Sequence, residues 1–153
     1  MPVISRSRRL PAAPERLWTV VSDPGRWPDW WPRVERVEDA SREAWTAVLQ
    51  SPKGGRALRA DYTLVDSEHP RRLLWRHEVE ESPFERIITS SVTELRLEPD
   101  TARGQTLVRL TANLGLRGFS RFGGFQVKRA TRRQLDGALE GLSELAEGWS
   151  AAA

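Results

Sequence analysis

The side chains able to do chemistry are few. There is no Cys, which excludes disulfides, thiolate metal sites and thiol nucleophiles. The two histidines are His69, placed before Pro70 in a turn pattern, and His77, placed in a strand pattern. Two imidazoles so disposed make a poor metal site, so neither a metal nor a cofactor is expected. With alternation in steps of two, His77 shares a face with Leu73, Trp75 and Val79, and the preceding strand offers Tyr62 on its own inward face. A neutral imidazole beside a phenol can act as general base and enolate stabiliser near neutral pH. The competing reading is a core or rim histidine whose hydrogen bonds are satisfied. Ser91 and His77 would make a nucleophile and base, yet no G-x-S-x-G elbow and no third member accompany them. Gly123-Gly124 belongs to neither nucleotide-binding fingerprint.

The elements that must position these groups follow from period and punctuation. Val3 to Leu10 reads as a strand ending at Pro11. Pro14 suits the first position of a helix, where its missing N–H costs nothing, and Leu17, Trp18 and Val21 form the apolar stripe of that helix. Asp23-Pro24-Gly25 stops it. Three Trp and two Pro between Trp27 and Pro32 permit one further short turn of helix. Strands are expected at Val34 to Glu38, Glu43 to Gln50, Arg56 to Asp66, Arg72 to Glu80, Phe84 to Glu98 and Gln105 to Leu116. Turns intervene around Lys53-Gly54-Gly55, His69-Pro70, Ser82-Pro83 and Pro99 to Gly104. Short connections imply antiparallel pairing. Leu135, Leu139, Leu142, Ala146 and Trp149 then mark one stripe of a long C-terminal helix, starting between Arg121 and Phe125 and running to about Gly148. The expected architecture is α+β: a curved seven-stranded antiparallel sheet around a long C-terminal helix, with two short helices after the first strand.

The chain has 153 residues, enough for one domain spanning 1–153. Apolar residues at 39% and charged residues at 29% fit a folded globule rather than a disordered chain. No run approaches the ~18 apolar residues of a membrane-spanning helix. The N-terminus lacks the apolar segment of a secretory signal, so a reducing cytoplasm is the expected compartment. The net charge of +3 is a weak argument for nucleic acid. One segment is lopsided: Arg117, Arg121, Lys128, Arg129, Arg132 and Arg133 occur without an acid among them. It reads either as a solvated helix face or as a patch for an anion, and its basic residues run against the helix dipole.

Seven antiparallel strands and one helix with a single apolar stripe must enclose their apolar faces between them. The inward set is mixed, since Tyr62, His77, Thr89, Ser91 and Thr93 fall on faces that are otherwise apolar. Buried polar groups either satisfy one another or face a wet or ligand-filled space.

The segment Ala13-Pro14-Glu15-Arg16-Leu17-Trp18, followed by Asp23-Pro24-Gly25-Arg26-Trp27-Pro28-Asp29-Trp30-Trp31-Pro32-Arg33-Val34, resembles the START/Bet v 1-like superfamily. It is most similar to the polyketide cyclase/dehydrase and lipid-transport group. The later turns at Ser82-Pro83-Phe84 and Gly104-Gln105-Thr106 fit the same pattern. The resemblance implies a helix-grip fold with a cavity between sheet and helix. It also implies a hydrophobic ligand such as a lipid, polyketide or quinone. Some members are aromatase/cyclases acting on carrier-bound polyketides, while others only carry or sense a ligand. The expected site comprises Trp30, Trp31, Tyr62, Trp75, His77, Thr89 and Ser91 from the helical segment and the sheet. The C-terminal helix would add Phe122, Phe125, Lys128, Arg132, Leu135 and Leu139, with Lys128 and Arg132 meeting an anionic head group. The cyclase alternative assigns His77 and Tyr62 catalytic roles and docks an acyl-carrier protein on the Arg117–Arg133 cluster. The third reading is a nucleic-acid or partner-binding module using that cluster alone.

Overall fold

Alternating strands and punctuating prolines assemble as the periodicity requires. The structure is a computed structural model describing residues 2–50, 57–79, 88–116 and 121–151. In chain order the elements are β1 (Val3–Leu10), α1 (Pro14–Val21), a 3-10 turn (Pro24–Arg26) and α2 (Trp27–Trp30). Then follow β2 (Val34–Glu38), β3 (Ala44–Leu49), β4 (Leu58–Glu68), β5 (Arg72–Glu78), β6 (Ile88–Asp100), β7 (Gln105–Leu116) and α3 (Arg121–Ala151). The turns expected at 51–55 and 82–83 lie outside the described residues. The turn expected from Pro99 is shorter than its residue types suggest. Pro99 and Asp100 pair with Thr106 and Gln105, and the chain reverses over 101–104, where Gly104 takes φ 62°.

All seven strands form one antiparallel sheet in the order β1-β7-β6-β5-β4-β3-β2. The chain leaves β1 at one edge, passes through the two short helices and enters β2 at the other. The sheet curves around α3, which packs against β1, β7 and α2. Pro14 occupies the start of α1 as predicted, and Leu17, Trp18, Val20 and Val21 are buried beneath it. Asp23 caps the 3-10 turn by accepting the Gly25 N–H at 2.9 Å. Leu135, Ala138, Leu139, Leu142 and Ala146 of α3 are buried on the concave side with Leu95, Leu97, Val108 and Leu110 of the sheet. Each such aliphatic side chain contributes roughly 1.5–3 kcal/mol on leaving water.

Two acids in the middle of α3, Asp136 and Glu140, pair with the edge strand β1. Arg6 donates to Asp136 at 2.7 Å, and Arg8 donates to Glu140. The i, i+2 spacing on β1 meets the i, i+4 spacing on the helix, so the two pairs form side by side. They are about half exposed, and contribute no more than ~1 kcal/mol each; their main effect is to fix the helix along the β1 edge.

Two glycines let α2 approach α3. A Cβ on Gly141 would lie 2.5 Å from the Trp30 carbonyl oxygen and 2.8 Å from its Cα. A Cβ on Gly137 would meet only the Pro32 ring, at 3.3 Å. Ala at either position gains about 1 kcal/mol of helix propensity. At 141 that gain is outweighed, because backbone must move and overpacking costs ~1–3 kcal/mol. Gly141→Ala should therefore lower stability in urea unfolding by about 1–2 kcal/mol, while Gly137→Ala should be neutral or stabilising. Equal effects of the two variants would contradict this packing.

Candidate functional site

The concave face is organised around Trp27, which is 1% exposed. Its indole stacks on Trp31 (centroids 4.8 Å, 27°). It meets Trp45 edge-on at 5.2 Å and Trp75 edge-on at 5.5 Å, and lies 4.9 Å from Tyr62. Offset-stacked and edge-to-face pairs at these separations each add ~0.5–1.5 kcal/mol beyond area burial. The four-residue helix α2 places Trp27 over the sheet and turns Trp30 toward α3, where its backbone abuts Gly141, and the extended residue that follows, Trp31, returns to stack on Trp27. β3, β4 and β5 bring up Trp45, Tyr62 and Trp75, in register Trp45↔Tyr62↔His77 and Leu64↔Trp75.

Tyr62 is sandwiched. Its ring lies 5.8 Å from Trp45 at 15° on one side and 4.8 Å from His77 at 26° on the other. Burial pushes its hydroxyl far above the usual tyrosine range, so it remains a neutral phenol. His77 is 9% exposed. Burial lowers its pKa below 6.5, against the opposing pull of the Asp61 and Glu78 carboxylates. The imidazole is therefore neutral at pH 7. Stacked faces hold the two rings together without directing the imidazole edge at the phenol oxygen, an arrangement suited to a binding wall more than to a proton relay.

A cavity of about 140 Å³ lies between this wall and α3. Trp31, Tyr62, Trp75 and His77 line it from one side; Ser91, Thr93, Ala112 and Leu114 line the sheet floor; Val127, Thr131 and Gln134 close it from the helix. Of the expected site residues, Trp31, Tyr62, Trp75, His77 and Ser91 thus meet in one space. Trp30 packs against Trp27 and Trp31 outside it. Leu135 and Leu139 are core residues, and Phe125 is 60% exposed. Lys128 is half-buried and Arg132 exposed, each next in sequence to a lining residue. Phe122 lies in α3, and its side chain and Arg117 are outside what the structure describes.

Thr89 departs from its expected orientation. A bulge between Ile88 and Ser90 breaks the alternation of β6. Ile88 consequently joins the cavity lining and Thr89 is exposed. The Thr89 and Ser90 hydroxyls instead crowd the position that a Cβ on Gly115 would occupy. The helix residues over the cavity, Val127, Thr131 and Gln134, were missed by sequence reading. They continue the Leu135 stripe at i, i+4, i+7, but two of them are polar. The space is small, with the Trp27–Trp31–Trp75 cluster packed along one side of it. It is comparable to the roughly 150 Å³ apolar cavity that accepts benzene.

Trp30, Trp31, Trp45 and Trp75 have buried indole N–H groups with no hydrogen-bond partner among the described residues. Each such donor costs ~1–3 kcal/mol when left unmet. No group of acidic or imidazole side chains suited to a metal ion occurs among the described residues, and no helix there is long and apolar enough to cross a membrane.

A curved seven-stranded sheet gripping a C-terminal helix, with short helices after the first strand, defines the helix-grip class. The sequence places the chain more narrowly: the family described as polyketide cyclase / dehydrase and lipid transport matches residues 1–147, and the chain belongs to it. Among solved structures, the XoxI protein of Bacillus cereus aligns with a TM-score of 0.80 at 14% identity, covering 98% of this chain and 99% of that one. A START superfamily protein from Mycobacterium smegmatis aligns at 0.76 with 14% identity, covering 96% and 98%. The di-domain aromatase/cyclase StfQ of the steffimycin biosynthetic pathway aligns at 0.74 with 14% identity, covering 97% of this chain and 52% of that one. No curated protein matches the sequence.

The sign of the His77 shift sets a pH dependence. A histidine whose folded pKa is depressed binds fewer protons when folded, so its contribution is complete above about 6.5 and is lost as pH falls through that value toward the folded pKa. Melting temperature should therefore fall between pH 7.5 and 5.5, and His77→Phe should flatten that part of the profile. Parallel profiles for the two proteins would assign the slope elsewhere.

Proposed function

We propose that the chain binds a hydrophobic, ring-bearing small molecule in the cavity between sheet and α3. The observation carrying this reading is the mixed lining: indole and phenol faces beside Ser91, Thr93, His77 and Gln134 around a space of about 140 Å³. Apolar burial against Trp31, Trp75 and Leu114 supplies most of the affinity. Ser91 and Gln134 in the lining can donate to acceptor oxygens, which favours a ligand such as a quinone or cyclic ketone. The volume suits one ring, or the slender end of a longer lipid or polyketide, better than a folded polyketide chain.

Aromatase/cyclase activity is the second reading. Two observations favour it: a neutral imidazole and a neutral phenol share the cavity, and Lys128, Arg129, Arg132 and Arg133 have no ion pair among the described residues, which would suit an acidic acyl-carrier protein. Under this reading His77 is the base and Tyr62 the hydrogen-bond donor to an enolate.

Thermal shift and tryptophan quenching with a panel of benzoquinones, fatty acids and polycyclic aromatics test the binding reading. Saturable stabilisation is expected from single-ring compounds. Thr131→Phe fills the cavity from the helix side and leaves no new unpaired group, because the Thr131 hydroxyl bonds only within the helix, to the Val127 carbonyl at 2.9 Å. It should weaken binding by more than about tenfold. Unchanged melting with every compound overturns the proposal. His77→Ala should abolish turnover of a carrier-bound polyketide if the chain is a cyclase, and only shift affinity if it is a carrier.

A further inference from the structure

A second concave space lies on the far side of the aromatic wall. It measures about 360 Å³ and is bounded by α1, the 3-10 turn and the β4–β5 hairpin. Trp18, Trp27, Trp45 and Trp75 wall it, with Ser22 and Ser67 among its smaller neighbours and Arg42 lining it from the β2–β3 connection. Trp75 is the one residue it shares with the sheet–helix cavity. We infer that this cleft is a second ligand site, for a small planar aromatic carboxylate. The inference does not rest on the function proposed for the first cavity.

The charge balance of the cleft is set by a bulge. Pairing in β4 shifts between Leu64 and Asp66, so Ser67 rather than Asp66 takes the inward position opposite Leu73. Asp66 is turned away and accepts a bond from Arg72 at 2.6 Å. Asp23, between two lining residues, is also directed elsewhere, onto the Gly25 N–H. Arg42 is therefore the charged residue of the lining, and it has no ion pair among the described residues. The Trp45 and Trp75 indole N–H groups are themselves buried, so these two residues contribute ring surface to the cleft. The Ser22 hydroxyl is already committed to the Trp18 carbonyl. A site with aromatic walls and one guanidinium that has no ion pair among the described residues fits a flat ring bearing a carboxylate. The ring stacks or meets the indoles edge-on, and the carboxylate takes the planar fork of Arg42. The volume lies at the lower end for ligand pockets, which favours one or two rings.

Calorimetric titration of the full chain with 2-naphthoate, and in parallel with neutral 2-naphthalenemethanol, tests this. Saturable naphthoate binding is expected. Arg42→Gln, an exposed change outside the core, should weaken it by about tenfold and leave the neutral analogue unaffected. Ser67→Phe should abolish it, and Thr131→Phe in the other cavity should leave it within about twofold. No saturable binding, an unchanged affinity in Arg42→Gln, or loss of binding in Thr131→Phe with retention in Ser67→Phe would each overturn the inference. Failure of the first cavity to bind its own ligands would appear with the quinones and fatty acids, and would leave these outcomes readable.

Discussion

The burial of Trp27 is the constraint on which the rest depends. A strongly curved sheet has a concave face wider than one helix can cover, and its apolar strand residues must still leave water. Here the gap is closed by a four-residue helix whose first residue packs against five other aromatic rings. Everything else on that face is arranged by this contact. Gly137 and Gly141 exist as a groove because α2 must come close to α3, and the position of Trp31 decides how much space remains beside His77. The two hollows are what the cluster leaves unfilled on either side of itself.

Much of this was legible in the residues. Leu73, Trp75, His77 and Val79 alternate with charged or half-buried neighbours, and all four are buried. Val108, Leu110, Ala112 and Leu114 behave the same way. Pro14 and Asp23-Pro24 mark the ends of α1 by local chemistry alone. The bulges at Leu64/Asp66 and Ile88/Ser90 were not legible, because a bulge is a property of two paired strands and neither strand encodes it alone. Their effect is large at a site: each reverses which neighbour faces inward, taking Thr89 out of one cavity and bringing Ser67 into the other space. The helix residues over the cavity were hidden differently. Thr131 and Gln134 occupy core-facing turns of α3 but are polar, so an apolar stripe ends before reaching them. That polarity is itself the signal, since a polar residue on a helix stripe needs a reason.

The uneven charge of α3 also resolves in three dimensions. Asp136 and Glu140, in the middle of the helix and away from the terminal turns where its dipole acts, are bound to Arg6 and Arg8 of the edge strand. The basic residues of the first turns have no comparable partners among the described residues. The same helix is thus clamped along its middle and bears open charge near the cavity, a division that separates the part holding the fold from the part able to meet something else.

The crowding of indoles around Trp27 has an optical consequence. Rings 4.8–6.0 Å apart do not absorb independently; their transition dipoles mix into delocalised excited states. Circular dichroism of the native protein should carry a bisignate exciton couplet in the indole absorption region, superimposed on the backbone bands and distorting any helix content read from them. That couplet vanishes when the rings separate, so the molecule contains its own reporter of whether the concave face is assembled.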